Sequence, residues 1–162
     1  MTLVAIFDKI SFILRKEEAM SERPNTLTVV RAIIRNGCKF LLLKRSSQDR
    51  HAPGAWELPG GKVDPGDLIQ SALPREVEEE EAGIKIKTHT WMTYYNEILG
   101  PDSRYPNFLY IVLYIECWML DHNDNVKISN EHEEFCWVSL KEARVLENIS
   151  QPCLEALELY CK

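Results

Sequence analysis

The stretch that most constrains this 162-residue chain is Phe108–Leu120, FLYIVLYIECWML, in which Glu116 is the only charged residue. A strand with such a run needs apolar cover on both faces, so it belongs at the centre of a sheet. Other segments supply its partners and its cover. Thr26–Ile34 is rich in β-branched residues, Asn36-Gly37 is the two-residue signal of a tight hairpin, and Phe40–Leu43 is the returning strand. Ile84–Ile98 alternates as a strand does, and Phe135–Val138 is a short one. Residues 70–82 read as a helix. Ser139 and Glu142 have capping-box spacing before another. Ser150, with Pro152 just inside, opens a last helix whose apolar face carries Leu154, Leu157 and Cys161. The expected fold class is α/β, a mixed β-sheet sandwiched between α-helices.

Ahead of this block, Leu3, Ile6, Phe7, Ile10, Ile13 and Leu14 recur at helical spacing. The expected organisation is an N-terminal amphipathic helix and linker over 1–22, then one domain over 23–162. The helix leaves a homodimer contact open. Its mixed-charge polar face argues against docking on a membrane. No apolar run reaches the roughly 18 residues that span a bilayer. No basic region precedes Leu3–Phe7, so a secretory leader is not expected. The five cysteines are an odd number without a C-x-x-C pair, which fits reduced thiols in a cytoplasmic protein. With 25 acidic and 19 basic residues the net charge is -6. That argues against a nucleic-acid binder. It leaves room for a phosphate-bearing ligand, because a bound cation reverses the local sign.

Chemistry concentrates in residues 60–84, GGKVDPGDLIQSALPREVEEEEAGI. The glycines let the backbone turn tightly and approach a ligand. On an α-helix Glu76, Glu79 and Glu80 share one face, at i, i+3 and i+4. Three carboxylates so placed repel one another unless a cation joins them, and hard oxygen donors suit Mg²⁺ or Mn²⁺. Taken alone, the acidic run also reads as a solvated helix face.

The segment resembles the Nudix box, G-x5-E-x7-R-E-U-x-E-E-x-G-U, with U a bulky apolar residue. The box would open at Gly61, with Asp67 at its first acid, Arg75-Glu76-Val77 as its central unit and Glu79-Glu80 as its pair. PGAWELPGG at 53–61 and EHEEFCWVSLKEA at 131–143 also look like parts of such a domain, so the resemblance spans about residues 26–160. It implies a Nudix fold with an extra N-terminal helix. It also implies metal-dependent attack of water on a diphosphate linkage in a nucleoside diphosphate derivative. Glu76, Glu79, Glu80 and the Gly60 carbonyl would hold Mg²⁺ or Mn²⁺. Arg75 would orient a box carboxylate, and Glu80 is the first candidate for general base. Arg45, Lys62, Gly61 and Trp56 would contact substrate. Glu131, Glu134 and Asp67 are further candidates for base or ligand. The MutT-like sequence around 26–61 points to a nucleoside triphosphate or damaged nucleotide. Hydrolysis of ADP-ribose, a nucleotide sugar or a dinucleoside polyphosphate, and a non-catalytic nucleotide-binding module, stay open.

The segment departs from the box in three places. Asp67 is one methylene shorter than the usual Glu. Pro74 stands where a helix former is usual, so the helix is expected to start late, near Ser71, or to bend. Glu81-Ala82 precede Gly83 where the box has one residue. Counting back from Gly83 would place the pair at Glu80-Glu81, but Arg75-Glu76 fixes the upstream register. The extra residue is then expected as a π-bulge or at the helix end.

Overall fold

The computed structural model describes residues 25–50, 52–120 and 126–162, with the backbone alone for 79–81. The expected N-terminal helix, and with it the 1–22 unit, lies outside the described residues.

The apolar run forms β5 (Leu109–Met119), and it is central as its composition requires. On one edge β1 (Thr26–Asn36) runs parallel to it, from Thr26 opposite Leu109 to Ile34 opposite Cys117. On the other edge β4 (Ile86–Ile98) runs antiparallel, with a bulge between Thr88 and Met92. The Asn36-Gly37 hairpin, with Gly37 at φ 61°, joins β1 to β2 (Lys39–Arg45). β1 and β2 pair at Arg35–Phe40 and Asn36–Lys39 and then part. β2 takes β6 (His132–Val138) along one edge and β3 (Trp56–Glu57) at the far end of the other.

The gap between β1 and β2 decides where the glycine loop sits. Beyond the hairpin, the free edge of β1 presents backbone groups that need partners. Residues 58–63 supply them. The N–H of Ala32 donates to Pro59 O (2.7 Å), that of Val30 to Gly61 O (2.9 Å), and that of Val63 to Thr28 O (3.0 Å). The loop is thus fastened to the sheet as an irregular strand.

Helices cover both faces. On one, α1 (Ile69–Arg75) and a π-helical turn (Glu76–Glu81) bring Leu73 and Val77 onto Val30, Ala32, Leu41 and Ile115. On the other, α2 (Leu140–Ala143) and α3 (Gln151–Tyr160) bring Ala143, Cys153 and Leu157 onto Ile33, Leu42 and Val112. Both bonds of the Ser139–Glu142 capping box are present. The Ser150 side chain makes no capping bond, and α3 opens with Pro152 in its first turn instead.

Two details of the box helix resolve. The helix begins at Ile69, not near Ser71, and Pro74 lies inside it. The Leu68 carbonyl accepts from Ser71 (3.0 Å) and Ala72 (2.9 Å), so the first turn is closed before the proline is reached. The surplus residue is absorbed by the π-helical turn, in which Ala82 N–H donates to Val77 O, five residues back, at 2.9 Å. Among the described residues no helix is long and apolar enough to cross a membrane.

Thiol chemistry tests this packing. Cys38 and Cys161 are exposed, whereas burial pushes Cys117 and Cys153 to about 12 and Cys136 to about 11. At pH 8 a disulfide reagent should titrate Cys38 and Cys161 rapidly and the other three only on unfolding. Rapid reaction of Cys153 would show that α3 is not seated on the sheet.

Candidate active site

The glycine loop, β1 and the π-helical turn meet at a cleft of about 960 Å³. Six of the residues singled out from the sequence line it: Gly60, Gly61, Lys62, Glu76, Arg45 and Glu131. Glu76 is buried, at 6% exposure, an unusual setting for a carboxylate. Its Oε1 lies 2.9 Å from Arg75 Nη1. Arg75 Nη2 in turn reaches Asp67 Oδ2 at 3.2 Å and Asp64 Oδ2 at 3.7 Å. Arg75 therefore ties the loop acids to the helix carboxylate and fixes the orientation of Glu76. Gly61 is glycine for a spatial reason: a Cβ there would overlap the Glu76 carboxylate. At Gly60, with φ 140°, a Cβ would overlap the Val30 carbonyl.

The loop is gripped from beneath. Arg31 Nη1 donates to Gly60 O at 2.7 Å and to Leu58 O at 3.2 Å, while its Nη2 meets Glu57 Oε2 at 2.8 Å. The other Glu57 oxygen lies 2.7 Å from Arg45 Nη1, and Arg45 Nη2 pairs with Asp49. Burial works against the Arg45 charge, but Glu57 and Asp49 outweigh it and raise its pKa. Arg45 is thus held by two carboxylates at the cleft wall. His132 is buried beside this network, its Nε2 4.0 Å from Glu57 Oε1 and its Nδ1 3.4 Å from Ser129 Oγ.

Other singled-out residues lie elsewhere. Trp56 is in the core, 8% exposed, with Lys44 Nζ 5.8 Å from its ring centre, and it does not line the cleft. Glu134 faces solvent on β6 and pairs with Lys44 at 2.5 Å. Glu79 and Glu80 fall on the π-helical turn. The i, i+3, i+4 face rule is an α-helical rule, and the wider π turn brings residues back to a face later in the sequence. Among the described residues no group of three or more His, Cys, Asp or Glu is arranged to hold a metal ion. Of the three helix carboxylates Glu76, Glu79 and Glu80, Glu76 is the one whose side chain is described. Its carboxylate and Gly60 both line the cleft, and hard oxygen donors of this kind suit Mg²⁺ or Mn²⁺.

Beside the cleft, and sharing Arg31, Arg45, Glu97 and Tyr110 with it, is a second hollow of about 390 Å³. Tyr95 and Tyr114 help line it, and burial, with Glu97 adding to it, raises the Tyr95 pKa. Sequence reasoning missed Arg31, Asp49, Glu57, Glu97 and Arg104. Arg31 left one signal, a lone charge in an otherwise uncharged β-branched run.

The buried histidine gives a pH prediction. Burial drives the His132 pKa down from 6.5 to about 4, against a raising pull from Glu57. In the unfolded chain it takes a proton below about pH 6.5, and in the folded chain only near pH 4. Its contribution to stability is full above pH 6.5 and is lost as pH falls through about 4. The melting temperature should fall across that window, and His132→Gln should flatten the fall. An unchanged slope in the variant would assign the acid loss to carboxylates instead.

Comparison with known proteins places the chain in a family. The NUDIX domain model matches residues 25–157. The nucleoside triphosphatase NudI of Escherichia coli O81 (strain ED1a) is 34% identical over 115 residues, covering 68% of this chain and 80% of that protein. The crystal structure of a MutT protein from Methanosarcina mazei Go1 superposes with a TM-score of 0.71 at 30% identity, covering 87% of this chain and 96% of that one. A C. elegans Ap4A hydrolase shares the fold, with a TM-score of 0.66 at 24% identity, covering 84% and 96% of the two chains. With the domain model matched over most of the chain and a relative at 34% identity, the chain belongs to the NUDIX domain family.

Proposed function

We propose that the chain is a divalent-cation-dependent pyrophosphohydrolase that converts a nucleoside triphosphate, normal or damaged, and water into a nucleoside monophosphate and pyrophosphate. The observation that carries this is Glu76, a buried carboxylate clamped by Arg75 at 2.9 Å on the wall of a cleft wide enough for a nucleotide. The similarity to a nucleoside triphosphatase favours the triphosphate over ADP-ribose, a nucleotide sugar or a dinucleoside polyphosphate. A net charge of -6 favours a small nucleotide over a nucleic-acid chain.

Glu76, the Gly60 carbonyl, Glu79 and Glu80 would hold Mg²⁺ or Mn²⁺. The Gly60 oxygen already accepts one hydrogen bond from Arg31, which leaves it a second lone pair. When bound, the ion neutralises phosphate oxygens and lowers the pKa of an attacking water. The chain supplies the rest. Arg75 holds the Glu76 carboxylate in one orientation. Lys62, on the cleft wall, offsets phosphate charge. Gly61 leaves the space that the Glu76 carboxylate occupies against the loop. Glu80 takes the water's proton, with Glu131 as the second candidate because it lines the cleft. The hollow bounded by Tyr95 and Tyr110 accepts the base, whose faces suit aromatic contact.

The test is product release from a panel of normal and oxidised nucleoside triphosphates, ADP-ribose, nucleotide sugars and diadenosine polyphosphates, with Mg²⁺ or Mn²⁺ and an EDTA blank. Triphosphates should give pyrophosphate, EDTA should abolish the signal, and Glu76→Gln should lower kcat about 100-fold or more. Full turnover in Glu76→Gln would overturn the assignment. Nucleotide binding without turnover anywhere in the panel would make the domain a binding module.

A further inference from the structure

Arginines 31, 45 and 75 are all engaged by carboxylates, so they add little net positive charge for a substrate. Two other cations line the cleft, Lys62 and Arg104, and neither forms an ion pair with a described residue. Both stand against one ring. Lys62 Nζ is 5.3 Å and Arg104 Cζ 5.4 Å from the centre of Tyr105, and Lys62 Nζ is 3.5 Å from its hydroxyl. Tyr105 is itself fixed: its ring packs on Phe108 at 5.5 Å and its N–H donates to Ser103 Oγ at 3.1 Å. The loop that carries it is closed at its base, where Leu99 donates to Phe108 O and Asn107 to Leu99 O, each at 2.9 Å. Two like charges held beside one ring repel, and the ring's negative face offsets only part of that. Both line the cleft, so an anion there meets two positive charges that no described carboxylate neutralises.

We infer that Arg104, together with Lys62, binds the distal phosphates of a nucleoside polyphosphate, those that leave as pyrophosphate. Arg104 is then a specificity residue. It favours a triphosphate, whose distal end is anionic, over a substrate whose distal group is a neutral sugar. A guanidinium suits this role because its fork matches phosphate oxygens two at a time. The inference rests on the nucleotide-hydrolase reading of the same cleft.

The experiment compares wild type, Arg104→Ala and Arg104→Lys in the full chain with Mg²⁺. A deoxynucleoside triphosphate serves as substrate, and ADP-ribose as substrate or competitor. Arg104 is exposed, and a thermal melt checks that each variant is folded. Loss of a charge-assisted contact should lower kcat/KM for the triphosphate about 10- to 100-fold in Arg104→Ala, mainly through KM. ADP-ribose should change by less than about threefold, and Arg104→Lys should recover part of the loss. In a second arm, calorimetry measures binding of inorganic tripolyphosphate with Mg²⁺, which should weaken by the same factor. Unchanged tripolyphosphate affinity in Arg104→Ala, or an equal loss for both nucleotides, would overturn the inference. If the wild type turns over no nucleotide, the hydrolase reading fails, and the tripolyphosphate arm still decides whether Arg104 binds phosphate.

Discussion

A single carboxylate, Glu57, sits between two arginines, and the shape of the site follows from that. One oxygen meets Arg31 and the other meets Arg45. Arg31 Nη1 donates to the carbonyls of Leu58 and Gly60. The Arg31–Glu57–Arg45 group therefore anchors a loop. With all partners present the buried charges are compensated. Removing one would leave another unpaired in low dielectric, at a cost of about 3–5 kcal/mol. The loop so anchored lies along β1, and Gly61 leaves the room that Glu76 occupies. Loop, strand and box helix are thus one assembly, and their joint is the Glu76 carboxylate.

This arrangement divides the positive charge of the cleft into two kinds. Arg31, Arg45 and Arg75 are spent on carboxylates and set geometry. Lys62 and Arg104 line the cleft beside the Tyr105 ring. An arginine at the end of a strand looks the same in a sequence whichever kind it is. The difference lies in Glu57 and Asp49, which come from separate parts of the chain and meet Arg45 only in the folded molecule.

That contrast explains what the sequence could and could not tell. The apolar run of β5, the Asn36-Gly37 hairpin and the Ser139–Glu142 box are local signals, each legible from neighbouring residues. The surplus residue between Arg75-Glu76 and Gly83 was legible by counting, which left a π-bulge or the helix end open; the structure takes the first. The start of α1 was not, since the Leu68 carbonyl closes the first turn regardless of Pro74. The cleft residues of the box were legible through the motif. The Arg31–Glu57–Arg45 network and the Arg104–Tyr105–Lys62 group were not, because strand pairing and a loop 43 residues away bring them together. Trp56 shows the converse: an aromatic residue beside a motif has many uses, and this one packs in the core.

The most direct test of the central claim, that Glu76 is the fixed corner of a cation and phosphate site, is anomalous diffraction. Crystals would be grown with Mn²⁺ and a non-hydrolysable nucleoside triphosphate. The account predicts a manganese peak bonded to a Glu76 oxygen, with the phosphates between it and Lys62. Manganese bound away from Glu76, or phosphates lying outside the cleft walled by Gly61 and Lys62, would contradict it.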